Sequence, residues 1–179
     1  MKTMLRLSPI LLIFGLIAAL WRGLYSNPKE IPSPLLNKLT PSFELPNLFN
    51  PQENLNNQLF KDKVTILNVW ASWCAACVEE QMFIRTIAPS TSAQWIGFNY
   101  KDDRQNAMAW LNRYGNPYSA IAADTQGVVA LDWGIYGTPE TFVIDRKDRI
   151  RYKHIGPITF ADWQKDFVPL LAKLNGEVD

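Results

Sequence analysis

The sequence predicts an α/β fold, a central mixed sheet flanked by helices, on three observations. Val64 to Trp70 is a β-branched, almost unbroken apolar run, the pattern of a central strand covered on both faces. From there to Pro117, apolar runs of strand length alternate with stretches of helical period, in the order strand, helix, strand, helix. Further on, Thr141 to Asp145 and Ile150 to His154 flank the charged turn Arg146-Lys147-Asp148-Arg149 and read as a β-hairpin, which adds an antiparallel part. At 179 residues, 47% of them hydrophobic and 20% charged, the chain is long enough for one well-buried domain with an appendage.

The appendage comes first. Lys2 and Arg6 precede an uncharged apolar run from Leu7 to Trp21, which Arg22 closes. A membrane-spanning helix wants roughly 17 to 25 residues, and this run is short for one. Arg6 and Arg22 can snorkel, however, so residues 1–25 are read as an N-terminal transmembrane anchor. A cleavable signal peptide shares the positive start and apolar middle. It also needs small residues before the cut, and Ala19 has Ile17 as its required partner and the large Leu20 beside it, so the uncleaved anchor is preferred. Lys2 and Arg6 keep the N-terminus cytoplasmic by the positive-inside rule and send the rest across, although Arg22 and Lys29 blunt the asymmetry.

Residues 26–39 are read as a Pro-rich linker, and 40–179 as the domain. Pro28, Pro32 and Pro34, with Pro41 just beyond, favour extended chain that holds the domain off the bilayer. Thr40 to Pro46 alternates apolar and polar residues beside prolines, as an edge strand does. Asn47 to Lys63 is polar and shows neither period. After the strand ending at Trp70, the spacing from Cys74 onward is helical, with Cys77, Glu80, Gln81 and Ile84 on one side and Pro89 as the stop. Ala93 to Tyr100 is a second strand. Asp102 or Asp103 caps a helix carrying Ala107, Trp110, Leu111 and Tyr114, which Gly115-Asn116-Pro117 ends. Ser119 to Ala123 is a third short strand, and Val128 to Asp132 a short helix or turn. Phe160 to Leu174 has Trp163, Phe167, Leu170, Leu171 and Leu174 at helical spacing and makes a closing amphipathic helix.

Composition excludes several functions. A net charge of +1 gives no basic surface for nucleic acid. The two cysteines and the single histidine, His154, fall short of the four ligands of a closed zinc site, so no metal is expected unless two chains share one. His154 is read as structural. A small exported protein that relied on structural disulfides would carry more cysteines at scattered spacings, which leaves chemistry as the use of this pair.

Both cysteines lie in Trp70-Ala71-Ser72-Trp73-Cys74-Ala75-Ala76-Cys77. Two thiols separated by two residues close a small disulfide ring if the backbone turns into a helix, and the pair then gains and loses two electrons. A thiol attacks a disulfide as its thiolate, and a helix N-terminus favours that form. Cys74 is therefore the expected nucleophile. Cys77, one turn inside, is the expected resolving thiol, and the redox-active disulfide needs no further cofactor.

Trp73-Cys74-Ala75-Ala76-Cys77 after a hydrophobic strand, with Gly137-Thr138-Pro139 before a hairpin strand, resembles the thioredoxin family. The resemblance implies a thioredoxin-like fold, a cis Pro139 lying against the disulfide, and a Thr138 backbone offered to an extended substrate segment. Trp73 is expected to cover the active sulfur. Trp70, Trp95, Trp110, Trp133 and Trp163 are expected to pack in the core or its grooves.

Longer stretches are more specific. Trp73 to Glu80, Gly97 to Asp103, Gly115 to Tyr118 and Gly134-Ile135-Tyr136-Gly137-Thr138-Pro139-Glu140 through Asp145 resemble the membrane-anchored thioredoxin-like proteins of cytochrome c maturation, the DsbE or CcmG family. What this implies is a protein of the bacterial inner membrane, spanning it once with its domain in the periplasm. It would reduce the haem-binding cysteines of apocytochrome c, or a cytochrome c maturation thiol protein carrying them. Its electrons would come from a transmembrane thiol carrier of the DsbD or CcdA type. Glu80 and Glu140 match acidic positions of the family, for raising thiol pKa values or accepting the Cys77 proton. A solvated helix face is the plain alternative for Glu80. Asn68 falls where thioredoxin has a buried aspartate, so that proton route is missing and more rests on the two glutamates. Ala75 and Ala76 bring no charge or donor to hold a thiolate, which leans away from a strong oxidant. A broader exported thiol reductase, a disulfide oxidase of the same fold, and a non-catalytic module that captures thiol partners stay open as alternatives.

Overall fold

Residues 12–22 and 33–177 are described by the computed structural model, in two units, Met1–Pro32 and Ser33–Asp179. In the first unit residues 12–22 form a helix, α1, on which Leu12, Phe14, Ile17, Leu20 and Trp21 are exposed. Among the described residues no helix is long and apolar enough to cross a membrane. The remainder of the anchor expected over 1–25, and residues 26–32 of the expected linker, lie outside the described residues.

The second unit begins at Ser33 rather than at residue 40. Residues 33–39 lie against the hairpin instead of spacing it from a membrane. The Asn37 amide donates to the Ile150 carbonyl, the Ile150 amide donates to the Lys38 carbonyl, and Leu39 bridges Arg149.

Two short strands, β1 (Glu44–Pro46) and β2 (Asn54–Asn56), pair antiparallel with Leu45 opposite Leu55. A 3-10 turn over Asn57–Phe60 follows, capped by the Asn56 side chain. The main sheet has five strands: β3 (Thr65–Trp70), β4 (Gln94–Tyr100), β5 (Ala120–Asp124), β6 (Glu140–Ile144) and β7 (Ile150–Ile155), in the spatial order β5-β4-β3-β6-β7. β3, β4 and β5 run parallel, while β6 and β7 run antiparallel to their neighbours. The apolar run at 64–70 is thus the central strand, buried at every position. Period two divides its side chains between the layers: Ile66 and Trp70 enter one core with Ile84, Trp110 and Phe167, and Leu67 and Val69 enter the other with Phe43, Trp133 and Phe142. Asn68 shares the face of Ile66 and Trp70.

α2 (Ala75–Ile87) follows β3 and buries Cys77, Glu80, Gln81 and Ile84, the side that the spacing predicts. Pro89 supplies no backbone donor, and the helix tightens there into a 3-10 turn over Ala88–Ser90. α3 (Arg104–Tyr114) is capped by Asp103, whose Oδ1 accepts from the Gln105 and Asn106 amides at 2.9 and 3.1 Å. α4 (Val128–Asp132) is one short turn in the second layer. The closing helix, α5, comprises Phe160–Asp162, a π segment at Trp163–Phe167, and Val168–Gly176. Pro169 explains the π segment. Lacking a donor, it cannot continue the regular ladder, and the Val168 amide bonds the Trp163 carbonyl five residues back.

Candidate active site

β3 and β6 are antiparallel neighbours with Val69 opposite Glu140. The chain leaving β3 for Cys74 and the chain entering β6 from Pro139 therefore emerge at one end of the sheet. Two segments far apart in sequence meet there by register alone.

Cys74 is the N-cap of α2, with extended backbone, and its Sγ accepts from the Cys77 amide at 3.1 Å. It is disulfide-bonded to Cys77. Both sulfurs are largely buried, Cys77 at 1% exposure and Cys74 at 6%, whereas Ala75 and Ala76 are exposed. The Cys74 sulfur sits at the N-terminal end of α2, where the helix dipole is positive.

The segment before Cys74 is tied to the loop after β4. Asp102, buried, takes the Ser72 amide and Asn99 Nδ2 on Oδ2 at 2.6 and 2.9 Å, and the Ser72 hydroxyl on Oδ1 at 2.6 Å. Of the two aspartates weighed as helix caps, Asp103 caps and Asp102 holds this loop. Trp73 is 58% exposed, and its indole N–H donates to the Lys101 carbonyl at 2.9 Å.

Glu80 is not a solvated helix residue; it is 2% exposed. Oε1 accepts from the Ile158 amide at 2.9 Å and Oε2 from Asn68 Nδ2 at 3.0 Å. Burial pushes its pKa up from 4.5 to about 7, while these two donors work in the opposite direction. Asn68 is also within 3.0 Å of Thr141 Oγ1 and accepts on Oδ1 from the Tyr118 hydroxyl at 2.7 Å.

The Thr138–Pro139 peptide bond is cis. Pro139 is buried, and its carbonyl accepts from the Gly156 amide at 2.9 Å. The loop before it is clamped from inside. Glu140 Oε1 accepts from the Tyr136 and Gly137 amides at 2.9 and 3.2 Å, and Oε2 pairs with Lys153 Nζ at 2.9 Å. Lys153 also donates to the Gly134 carbonyl at 2.7 Å, and its ammonium lies 4.8 Å from the centre of the Tyr136 ring. Both oxygens of Glu140 are thus engaged by the loop and by Lys153. His154 is buried against Phe167, with Nε2 3.4 Å from the Pro157 carbonyl. Trp70, Trp95, Trp110, Trp133 and Trp163 are all core residues.

Sequence reasoning passed over Lys153, Asp102 in its loop-holding role, and Tyr118. Lys153 alternates with Arg151 on the strand, a pattern that reads as an exposed charged face. Only the partner brought by the β6–β7 register reveals it.

The chain matches the Redoxin family over residues 36–166. It is 41% identical over 170 residues to the thiol:disulfide interchange protein DsbE of Allochromatium vinosum, covering 95% of this chain and 94% of that one. To the protein of the same name from Escherichia coli K12 it is 37% identical over 183 residues, covering 99% and 98%. Among solved structures, a secreted thiol-disulfide isomerase from Corynebacterium glutamicum superposes with a TM-score of 0.65 at 24% identity, over 75% of this chain and 86% of that one, which shows a shared fold. With a thioredoxin-like mixed sheet, a Cys74–Cys77 pair at a helix start and full-length likeness to these relatives, the chain belongs to the DsbE family of thiol:disulfide oxidoreductases within the redoxins.

Proposed function

We propose that this protein is a membrane-anchored periplasmic reductant that keeps the haem-binding cysteines of apocytochrome c, or a maturation protein carrying them, in the thiol state. The apolar run from Leu7 to Trp21 supports anchoring in a bacterial inner membrane, with the domain outside. A transmembrane carrier of the DsbD or CcdA type is the proposed electron donor.

In the proposed cycle the donor first opens the Cys74–Cys77 disulfide, leaving two thiols. Cys74 gives its proton to water and attacks, as the thiolate, one sulfur of the substrate disulfide; that S–S bond breaks, and the other substrate sulfur leaves and takes a proton from water. Cys77 then passes its proton to Glu80, directly or through a water, and attacks Cys74 Sγ. The intramolecular disulfide closes, the second substrate thiolate leaves, and two electrons have reached the substrate. Trp73, Thr138 and Pro139 are the proposed substrate contacts, with the Thr138 backbone pairing an extended segment.

One observation carries the proposed cycle: Glu80, one turn beyond Cys77, is a buried carboxyl held by Asn68 and Ile158, and its pKa of about 7 suits taking and releasing the Cys77 proton at neutral pH. The test is a Cys77→Ser full chain expressed in a c-type cytochrome-producing host. It is expected to accumulate a mixed disulfide with apocytochrome or a maturation thiol protein, whereas Cys74→Ser traps nothing. Recovery of unrelated exported proteins with normal cytochrome levels in the deletion strain would point to a general reductase instead. A potential near about −120 mV, that of a strong oxidant, would remove the reductant assignment.

A further inference from the structure

A buried row of side chains leads from Glu80 away from the cysteines, and its hydrogens do not add up in one arrangement. The Tyr118 hydroxyl lies 2.7 Å from Asn68 Oδ1 and 2.9 Å from Gln81 Oε1. Both are acceptors, and a phenol carries one proton. The Gln81 amide is pinned the way it stands, because its Nε2 donates to the Gly115 carbonyl at 2.6 Å and a carbonyl only accepts. Turning Gln81 over would set two oxygens against each other. Asn68 has no such constraint, since Glu80, the Thr141 hydroxyl and the Tyr118 hydroxyl each take either role when protonation and rotation allow.

Two complete arrangements follow. With Glu80 ionised, Asn68 Nδ2 donates to Glu80 and to Thr141, Tyr118 donates to Asn68 Oδ1, and Gln81 Oε1 is left without a donor. With Glu80 protonated and the Asn68 carboxamide turned over, the Glu80 hydroxyl donates to Asn68 Oδ1, Asn68 Nδ2 donates to Tyr118, and Tyr118 donates to Gln81. In the second arrangement every buried partner in the row is satisfied. An unsatisfied buried acceptor is costly, so the row favours the arrangement that goes with a proton on Glu80.

We propose that the Asn68 carboxamide turns over when Glu80 takes up a proton, and that Tyr118, by choosing Asn68 or Gln81 as its acceptor, is the positioning residue that sets how tightly Glu80 holds it. The proposal rests on the reading of Glu80 as the acceptor of the Cys77 proton. It assigns Tyr118, Asn68 and Gln81 a part in that reaction although none of them touches substrate. One proton moves onto Glu80, the amide makes a half-turn, and no covalent bond between heavy atoms changes. Among the described residues, the titratable groups around Glu80 are few. Tyr118 stands on the segment before β5, and Cys77 is held in the disulfide on α2 itself. His154 Nε2 on β7 and Asp162 Oδ2 on α5 face each other at 3.9 Å.

The test is a pH titration by NMR of the oxidised full chain in detergent micelles, following the Glu80 side-chain carboxyl carbon and the Asn68 side-chain amide. The Asn68 amide protons are expected to move with the same midpoint as the Glu80 carbon. Tyr118→Phe removes one bond from the ionised arrangement and two from the protonated one, so the midpoint is expected to fall by about one pH unit. Gln81→Met is expected to lower it in the same direction. Asn68→Leu deletes the donor to the carboxylate and is expected to raise it. An Asn68 signal indifferent to the Glu80 titration, or an unmoved midpoint in folded Tyr118→Phe, would overturn the proposal. Because no substrate takes part, such a failure leaves the reductant reading standing. Loss of mixed-disulfide capture by Cys77→Ser would strike that reading and not the titration.

Discussion

Lys153 Nζ lies 2.9 Å from Glu140 Oε2, with the two side chains only 5% and 2% exposed. A pair so buried costs much to desolvate, and removing one member leaves the other charge without compensation. Lys153→Met is therefore expected to lower the unfolding free energy by about 3 to 5 kcal/mol, measured by urea titration. Adding Glu140→Gln to it is expected to restore much of the loss. If the double variant is no better than the single one, the lysine acts through its bond to Gly134 rather than through its charge.

The buried Glu80 makes stability depend on pH. The folded state holds its proton up to about pH 7, while the unfolded chain releases it near 4.5. Between these values the folded state binds more protons, so this group's contribution is complete below about pH 4.5 and is lost as pH rises through 7. The loss amounts to about 3 kcal/mol at order-of-magnitude precision. Glu80→Gln is expected to flatten the stability profile between pH 5 and pH 8, the range a series of urea titrations on the oxidised protein covers. A slope unchanged by the substitution would place the titration elsewhere.

Asp102 gathers two hydrogen bonds from Ser72 and one from Asn99 on one buried carboxylate, fixing the chain two residues before Cys74. Asp102→Ala is expected to cost about 2 to 3 kcal/mol and to slow disulfide exchange about tenfold or more by loosening the approach to Cys74. Stopped-flow reduction of a model peptide disulfide measures the second effect. Full speed with reduced stability would confine Asp102 to the fold.

Gly97 sits on β4 where three side chains converge. A methyl group there would come within 3.0 Å of Ile121 Cγ1, Trp70 Nε1 and Tyr118 Cδ2. Two of these neighbours are stacked rings, Trp70 against Tyr118, with little freedom to move. Gly97→Ala is expected to destabilise by about 1 to 3 kcal/mol through overpacking, read as a fall in Tm.

What the sequence showed plainly was whatever repeats over several residues. β3 is legible because six successive side chains are buried, and the inner side of α2 because Cys77, Glu80, Gln81 and Ile84 keep helical spacing. β1 lies inside the alternating stretch from Thr40 to Pro46 that reads as an edge strand, whereas β2, three residues within a polar stretch, is too short to display a period. The later part of the expected linker belongs to the domain because of backbone bonds from Asn37 and Lys38, which leave no trace in composition. At the site, the cysteines were visible from their spacing at a helix start, and Glu80, Pro139 and Glu140 through the family resemblance of the stretches that hold them. Lys153, Asp102 and Tyr118 were not, because each takes its meaning from a partner that only sheet register or a loop crossing supplies. Adjacent aspartates illustrate the limit: the direction of the backbone, not the residue type, decides that Asp103 caps α3 while Asp102 turns to Ser72.

The pairing of Val69 with Glu140 also sets the order in which this end of the sheet is assembled. The two cysteines are neighbours in any partly folded chain with a first turn of α2, but the Thr138–Pro139 segment does not reach their end of the sheet until β6 has docked on β3. β6 is made late, after the three parallel strands β3, β4 and β5 and the helices between them. An emerging chain thus holds both cysteines before the Thr138–Pro139 segment is brought to their end of the sheet, so the state of the β3–β6 ladder decides which surroundings the Cys74–Cys77 pair has.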